Sequence, residues 1–185
     1  MTEGATGAEP WPRGRSRDGG IDEIPLPGID GRLWLCGHRV VGPDPEAALT
    51  RVGAASVLCL CQEHELAERY PAYLAWLRST GGDRAHWFPI PDLGVPPRSA
   101  LVDLVEWSIE RLAGGDRLVA HCAAGIGRSG TLAAAVLLGL GVGHHDALAT
   151  VAGHRPAAGP EVGSQADLIA ELARHWASRT VPEDR

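Results

Sequence analysis

The residues best suited to chemistry are consecutive: His121-Cys122-Ala123-Ala124-Gly125-Ile126-Gly127-Arg128-Ser129-Gly130. Between Cys122 and Arg128 every residue is small or apolar, and two are glycine. Such a loop can curl so that successive backbone N–H groups point inward and form an anion nest. An apolar run of strand length, Arg117 to His121, leads into Cys122, and an apolar helical pattern, Ser129 to Leu140, leads away. The positive end of that helix adds to the nest. A phosphate dianion, cradled by Ala123, Ala124, Gly125, Ile126, Gly127 and Arg128, is the ligand such a loop would hold. Thiolates are stabilised in the same field, from a free pKa of ~8.5 to about 3.5–7.5, so Cys122 is expected to ionise and attack phosphorus. The planar fork of Arg128 can grip two phosphate oxygens through the transition state. Ser129 is placed to hydrogen-bond the sulfur and help it leave. Metal is not required, because Arg128 and the backbone amides supply the positive charge.

A leaving alkoxide or phenoxide needs a proton, and a second element should carry the acid. Asp92, in Phe88-Pro89-Ile90-Pro91-Asp92-Leu93-Gly94, follows a predicted strand and is expected at the same sheet edge as Cys122. The same carboxyl could later activate water. Asp103 and Asp116 fall in a predicted helix and turn and are poorer choices.

The elements that position these groups alternate. Strands are predicted at 32–36, 56–60, 85–90 and 117–121, and helices at 45–52, 63–78, 98–112, 129–140, 145–152 and 163–177. Asp44 should cap the first helix, with Pro45 in its first turn. Pro71 interrupts the second, and Pro91 to Pro97 must be loop. The run 56–60 reads as a strand buried on both faces. This order predicts a single α/β domain over 21–180, with a mainly parallel four- to five-stranded sheet flanked by helices. Residues 1–20, rich in Gly, Pro, Arg and acidic residues, read as a disordered lead-in.

The pattern His-Cys-x5-Arg-Ser with Gly125 and Gly127 resembles the signature of the protein tyrosine phosphatase superfamily. The short chain, with Asp92 about 30 residues before Cys122, is similar to its dual-specificity branch. The resemblance implies Cys122 as nucleophile, Arg128 as phosphate clamp, Ser129 as hydroxyl helper, Asp92 as general acid and His121 as the residue orienting the loop. It also implies Gln165 as a residue positioning water, and Cys61 as a redox partner for Cys122, as in the phosphatase-and-tensin type. The bland reading of Cys59 and Cys61 is small core residues on one strand face. A zinc site from Cys59, Cys61 and His64 lacks a fourth ligand. His144, His145 and His154 suit a helix boundary or solvated surface, and the scattered tryptophans define no site.

The bulk composition narrows the class. The 185 residues, 44% hydrophobic and 22% charged, suit one globular domain. A formal charge of -6 argues against a general nucleic-acid partner. All 17 positive residues are Arg, with 24 Gly, which reads as a GC-rich, bacterial coding bias. The N-terminus has no apolar signal core, and the longest apolar run falls short of the ~20 residues that span a bilayer, so no membrane partner is expected. The four cysteines lack a secreted disulfide spacing, which points to a reducing cytoplasm; separately, a monomer without cofactor is expected.

Three functions compete: an active phosphatase on phosphorylated proteins, a phosphate-binding pseudophosphatase, and another use of a Cys-x5-Arg loop, as in rhodanese-like sulfur transferases or arsenate reductases. The Gly-x-Gly-Arg-Ser ending and the upstream Asp92 favour the first. Relatives acting on phosphoinositides commonly place Lys in the loop. Ala123, Ala124 and Ile126 stand there in this chain, so a singly phosphorylated group is favoured: phosphotyrosine, with phosphoserine and phosphothreonine open and a phosphoinositide as the alternative.

Overall fold

Apolar residues alternate along the central strands, and that alternation determines how the layers stack. The computed structural model describes residues 20–82 and 84–180; the predicted lead-in, except for Gly20, lies outside them. Five strands, β1 (Asp22–Ile24), β2 (Arg32–Gly37), β3 (Ser56–Cys59), β4 (Ala85–Trp87) and β5 (Arg117–Cys122), form one sheet in the order β1-β2-β5-β3-β4. The three pairings among β2, β5, β3 and β4 are parallel, and β1 lies antiparallel on β2 at the edge.

The eight helices among the described residues are α1 (His38–Val41), α2 (Pro45–Val52), α3 (Glu63–Ala67), α4 (Pro71–Thr80), α5 (Arg98–Ala113), α6 (Gly127–Gly139), α7 (His144–His154) and α8 (Gly163–Thr180). Leu33 and Leu35 of β2, Leu58 of β3, and Leu118, Ala120 and Cys122 of β5 belong to a core shared with α5, α6, α7 and α8. Trp34, Cys36, Val57, Cys59 and Val119 belong to a second core, on the other face, shared with α1, α2, α3 and α4. All four residues of β3 are buried, as expected for a strand covered on both faces.

Several expectations stand and several shift. Asp44 Oδ1 accepts from the Ala47 amide at 2.9 Å, with Pro45 in the first turn of α2. Pro71 does not interrupt one helix but opens another: α3 ends at Ala67, and α4 begins on Pro71, where a missing N–H costs nothing. The strand predicted at 85–90 stops at Trp87, because Pro89 and Pro91 flank its end. Helix α6 begins at Gly127, two residues earlier than the apolar pattern suggests. No helix among the described residues is long and apolar enough to cross a membrane.

Candidate active site

Strand β5 ends on Cys122, at the carboxyl edge of the parallel strands, where open α/β sheets bind ligands. The loop 123–126 then curls into the N-terminus of α6. Gly125 adopts φ +75°, and a Cβ there would lie 2.3 Å from the Cys36 carbonyl, so both conformation and space demand glycine. Gly130 is equally constrained, since a Cβ would meet the Gly159 backbone nitrogen at 2.2 Å. The thiol of Cys122, 3% exposed, receives the Gly125 N–H at 3.2 Å and lies 3.4 Å from Ser129 Oγ. These are donors suited to a sulfur anion. His121 points to the opposite face: its Nδ1 is 3.3 Å from the Cys122 carbonyl oxygen and its Nε2 is 2.6 Å from the Tyr73 hydroxyl.

Arg128, on the first turn of α6, is buried and tightly held. Its two terminal nitrogens meet both oxygens of Glu65 at 2.7 Å, and one of them also donates to the Ile90 carbonyl at 2.9 Å. Asp92 Oδ1 contacts the other at 2.9 Å. Burial opposes the Arg128 charge, but the Glu65 hydrogen bonds and the charge of Cys122 outweigh it and raise its pKa. Burial likewise opposes charge on Glu65, yet Arg128 and the Gln62 amide hold its pKa below the ordinary carboxylate value. Glu65 was not anticipated from sequence. The hint available was local: Gln62 and Glu65 form a reciprocal capping box at the start of α3.

Arg155, fully buried, is the second group not anticipated. It donates to the Gly125 carbonyl through Nε and to the Ala124 carbonyl at 3.0 Å through a terminal nitrogen, and it pairs with Asp22. It thus fixes the back of the loop to the edge strand β1. Replacing Arg155 with Met should remove the cation that holds Asp22 and two loop carbonyls. The expected cost is about 3–5 kcal/mol, read as a lower unfolding midpoint in denaturant with phosphatase activity falling alongside.

The remaining expected residues are placed as follows. Asp92 is at the mouth, two-thirds exposed, in a turn closed by a 2.9 Å bond from the Gly94 amide to the Pro91 carbonyl. Gln165 is 1% exposed, and backbone groups engage both ends of its amide: Oε1 accepts from the Glu161 N–H at 2.8 Å, and Nε2 donates to the Gly94 carbonyl at 3.3 Å. It ties the approach to α8 to the loop that carries Asp92. Cys61 is grouped with Cys59 and His121, on the sheet face opposite to that of Cys122, and the two thiols are not bonded. A hydrogen bond with Cys59, followed by burial, pushes the Cys61 pKa up. His64 is exposed on α3; the imidazole that joins Cys59 and Cys61 belongs to His121.

His38, just past β2, is held near pKa 4 instead of 6.5, chiefly by burial and then by His121 and Arg69. Its Nδ1 has no hydrogen-bond partner among the described residues. The unfolded chain takes up this proton near pH 6.5 and the folded one only near pH 4, so stability should fall as pH drops through that window. Solvent screening at this half-buried ring keeps the effect below about 3 kcal/mol. Unfolding midpoints of wild type and His38→Gln, compared down this window, should show a shallower loss in the variant.

With this geometry in place, the chain can be set beside known proteins. A family model described as PTP-SAK, Swiss Army Knife protein, DSP-PTPase phosphatase domain, matches residues 32–175. The chain belongs to this family. The PTP-SAK match spans β2 to α8 and includes the thiol loop, Arg128, Glu65 and Asp92. Among solved structures, Tk-PTP in its active form is 26% identical, with a TM-score of 0.62 over 82% of this chain and 96% of that one. Kinase associated phosphatase, solved with its catalytic cysteine replaced by serine, is 23% identical, with a TM-score of 0.72 and coverage of 86% and 96%. PTPMT1 is 18% identical, with a TM-score of 0.68 and coverage of 86% and 98%. No curated protein compared with the chain matches it. The PTP-SAK domain is therefore a phosphatase domain of dual-specificity type, with the fold that its sequence predicted.

Proposed function

We propose that the protein hydrolyses phosphotyrosine monoesters, without metal, through a phosphocysteine on Cys122. The observation that carries this reading is the convergence of Gly125 N–H and Ser129 Oγ on the Cys122 sulfur, with Arg128 on the same loop and Asp92 at its guanidinium. In the first step Cys122 Sγ bonds to phosphorus as the ester oxygen leaves and takes a proton from the Asp92 carboxylic acid. In the second, water attacks the phosphocysteine, Asp92 accepts its proton, and Ser129 stabilises the departing thiolate. Gln165 acts here by fixing the acid loop against the approach to α8.

Two features of the mouth support an aryl monoester over a headgroup bearing several phosphates. Leu93, beside Asp92, is 52% exposed and held at φ +56°, a left-handed conformation that branched and bulky side chains rarely adopt. It offers an apolar contact to an aromatic leaving group. Three acidic groups also lie near the loop. A Cβ on Gly127 would come within 1.9 Å of Glu161 Oε2, so that carboxylate lies against the N-terminus of α6. Glu65, Asp92 and Glu161 would repel additional phosphates, although the related fold of PTPMT1 has been solved with PI(5)P. The free thiols of Cys59, Cys61 and Cys122 suit a reducing compartment.

The test compares phosphotyrosine, phosphoserine and phosphothreonine peptides of one sequence with a soluble phosphoinositide, in EDTA. The highest kcat/KM is expected on phosphotyrosine, and preference for the inositol phosphate would overturn the reading. Asp92→Asn should lower kcat by about 10²–10³-fold. Because it also removes an anion from Arg128, the same variant should bind inorganic phosphate more tightly.

A further inference from the structure

Behind the catalytic loop, on the face of the sheet that Cys122 does not occupy, the strand register brings three soft donors together. Cys59 of β3 is the cross-strand neighbour of His121 on β5, and Cys61 follows two residues later on the same side. The two sulfurs and one ring nitrogen of His121 lie within 4.8 Å of one another, and all three residues are 0% exposed. A purely apolar core has no use for such a set, and its neighbours Val57 and Val119 show what that core otherwise takes.

The imidazole is already oriented as a ligand would be. Nδ1 faces the Cys122 carbonyl, which suits an N–H donor there. Nε2 faces Tyr73, whose hydroxyl donates to its lone pair. Metal-bound histidines are held in the same way, with the second ring nitrogen donating to a carbonyl. The Tyr73 oxygen, 2.6 Å from Nε2, occupies the lone pair that a metal would take, so a cation must displace this hydrogen bond.

We propose that Cys59, Cys61 and His121 form a binding site for a thiophilic cation, with Zn²⁺ as the representative ion, and that occupation of the site stops the phosphatase. Binding releases the two thiol protons to solvent and forms two Zn–S bonds and one Zn–N bond with neutral imidazole, so the buried site gains no net charge. The ligand nitrogen belongs to the residue next to the nucleophile. Drawing His121 toward the metal displaces the Cys122 carbonyl and with it the start of the loop. Entry requires the structure to open, so inhibition should develop slowly and be reversed slowly by chelator. The binding claim stands apart from the proposed phosphatase mechanism; the inhibition claim rests on it.

The experiment titrates reduced, EDTA-stripped full-length protein with Co²⁺ as the spectroscopic probe and with Zn²⁺ as competitor. A 1:1 complex with thiolate-to-cobalt charge-transfer absorption, displaced by Zn²⁺, is expected in wild type and unchanged in Cys122→Ser. Cys59→Ser and Cys61→Ser should each weaken it at least about tenfold. If the absorption is absent, or disappears in Cys122→Ser, the site is wrong, the latter placing the metal on the nucleophile. Should the core variants fail to fold, X-ray absorption of zinc-loaded wild type decides: two sulfur ligands support the site and one overturns it. In activity assays Zn²⁺ should inhibit progressively; binding without inhibition would overturn the second half alone.

Discussion

Cys122→Ser should lower kcat by about 10⁵–10⁶-fold while the protein stays folded and still binds phosphate. The change replaces one atom in a side chain that is 3% exposed, so the surrounding core should notice little. The Gly125 N–H that the sulfur accepts, the Glu65–Arg128 pair and the hold of Arg155 on the loop all remain. What disappears is the proposed nucleophile, the thiol; a serine hydroxyl needs an adjacent general base before it can attack phosphorus. The readout is a steady-state rate near background, beside an undiminished phosphate affinity and an unchanged unfolding midpoint.

Arg128→Lys is the second large effect, about 10³–10⁴-fold in kcat/KM. Arg128 meets Glu65 with two parallel bonds, the Ile90 carbonyl with a third and Asp92 with a fourth. A lysine ammonium has no fork to reproduce these directions and present a second edge to phosphate. Glu65 would lose one of two short bonds in a site where its side chain is only 12% exposed, which should also lower stability by about 1–3 kcal/mol. Both kcat and KM should worsen, because the clamp acts on bound phosphate and on the charge of the transition state. A change in KM alone would reduce Arg128 to a binding residue.

The layout of the loop was legible because it is local. His121 to Gly130 contains the thiol, its hydroxyl neighbour, the clamp and the glycines, and each is explained by residues within a few positions. The placement of Asp92 beside Arg128 was legible for a similar reason, as a carboxylate in a proline-rich loop just past a strand. Glu65 and Arg155 were not, because their meaning lies in partners far along the chain: Glu65 finds Arg128 across 63 residues, and Arg155 finds Asp22 across 133. Edge strand β1 escaped notice because Asp22-Glu23-Ile24 is short, acidic and paired on one side only. The split at Pro71 was misread because a proline in a helical pattern can end one helix or begin the next, and the packing of Tyr73, Leu74 and Leu77 decides it. For the same reason His121, not His64, was the missing partner of Cys59 and Cys61. Cross-strand register places it there, and sequence spacing cannot reveal register.

The central claim is a covalent phosphocysteine, and the most direct test is an acid-quenched reaction of wild-type protein with an aryl phosphate in EDTA, followed by peptide mass spectrometry. The account predicts phosphate on the peptide containing Cys122, accompanied by a burst of released phenol. Turnover without any phosphopeptide, or with phosphate on a residue other than Cys122, would contradict it.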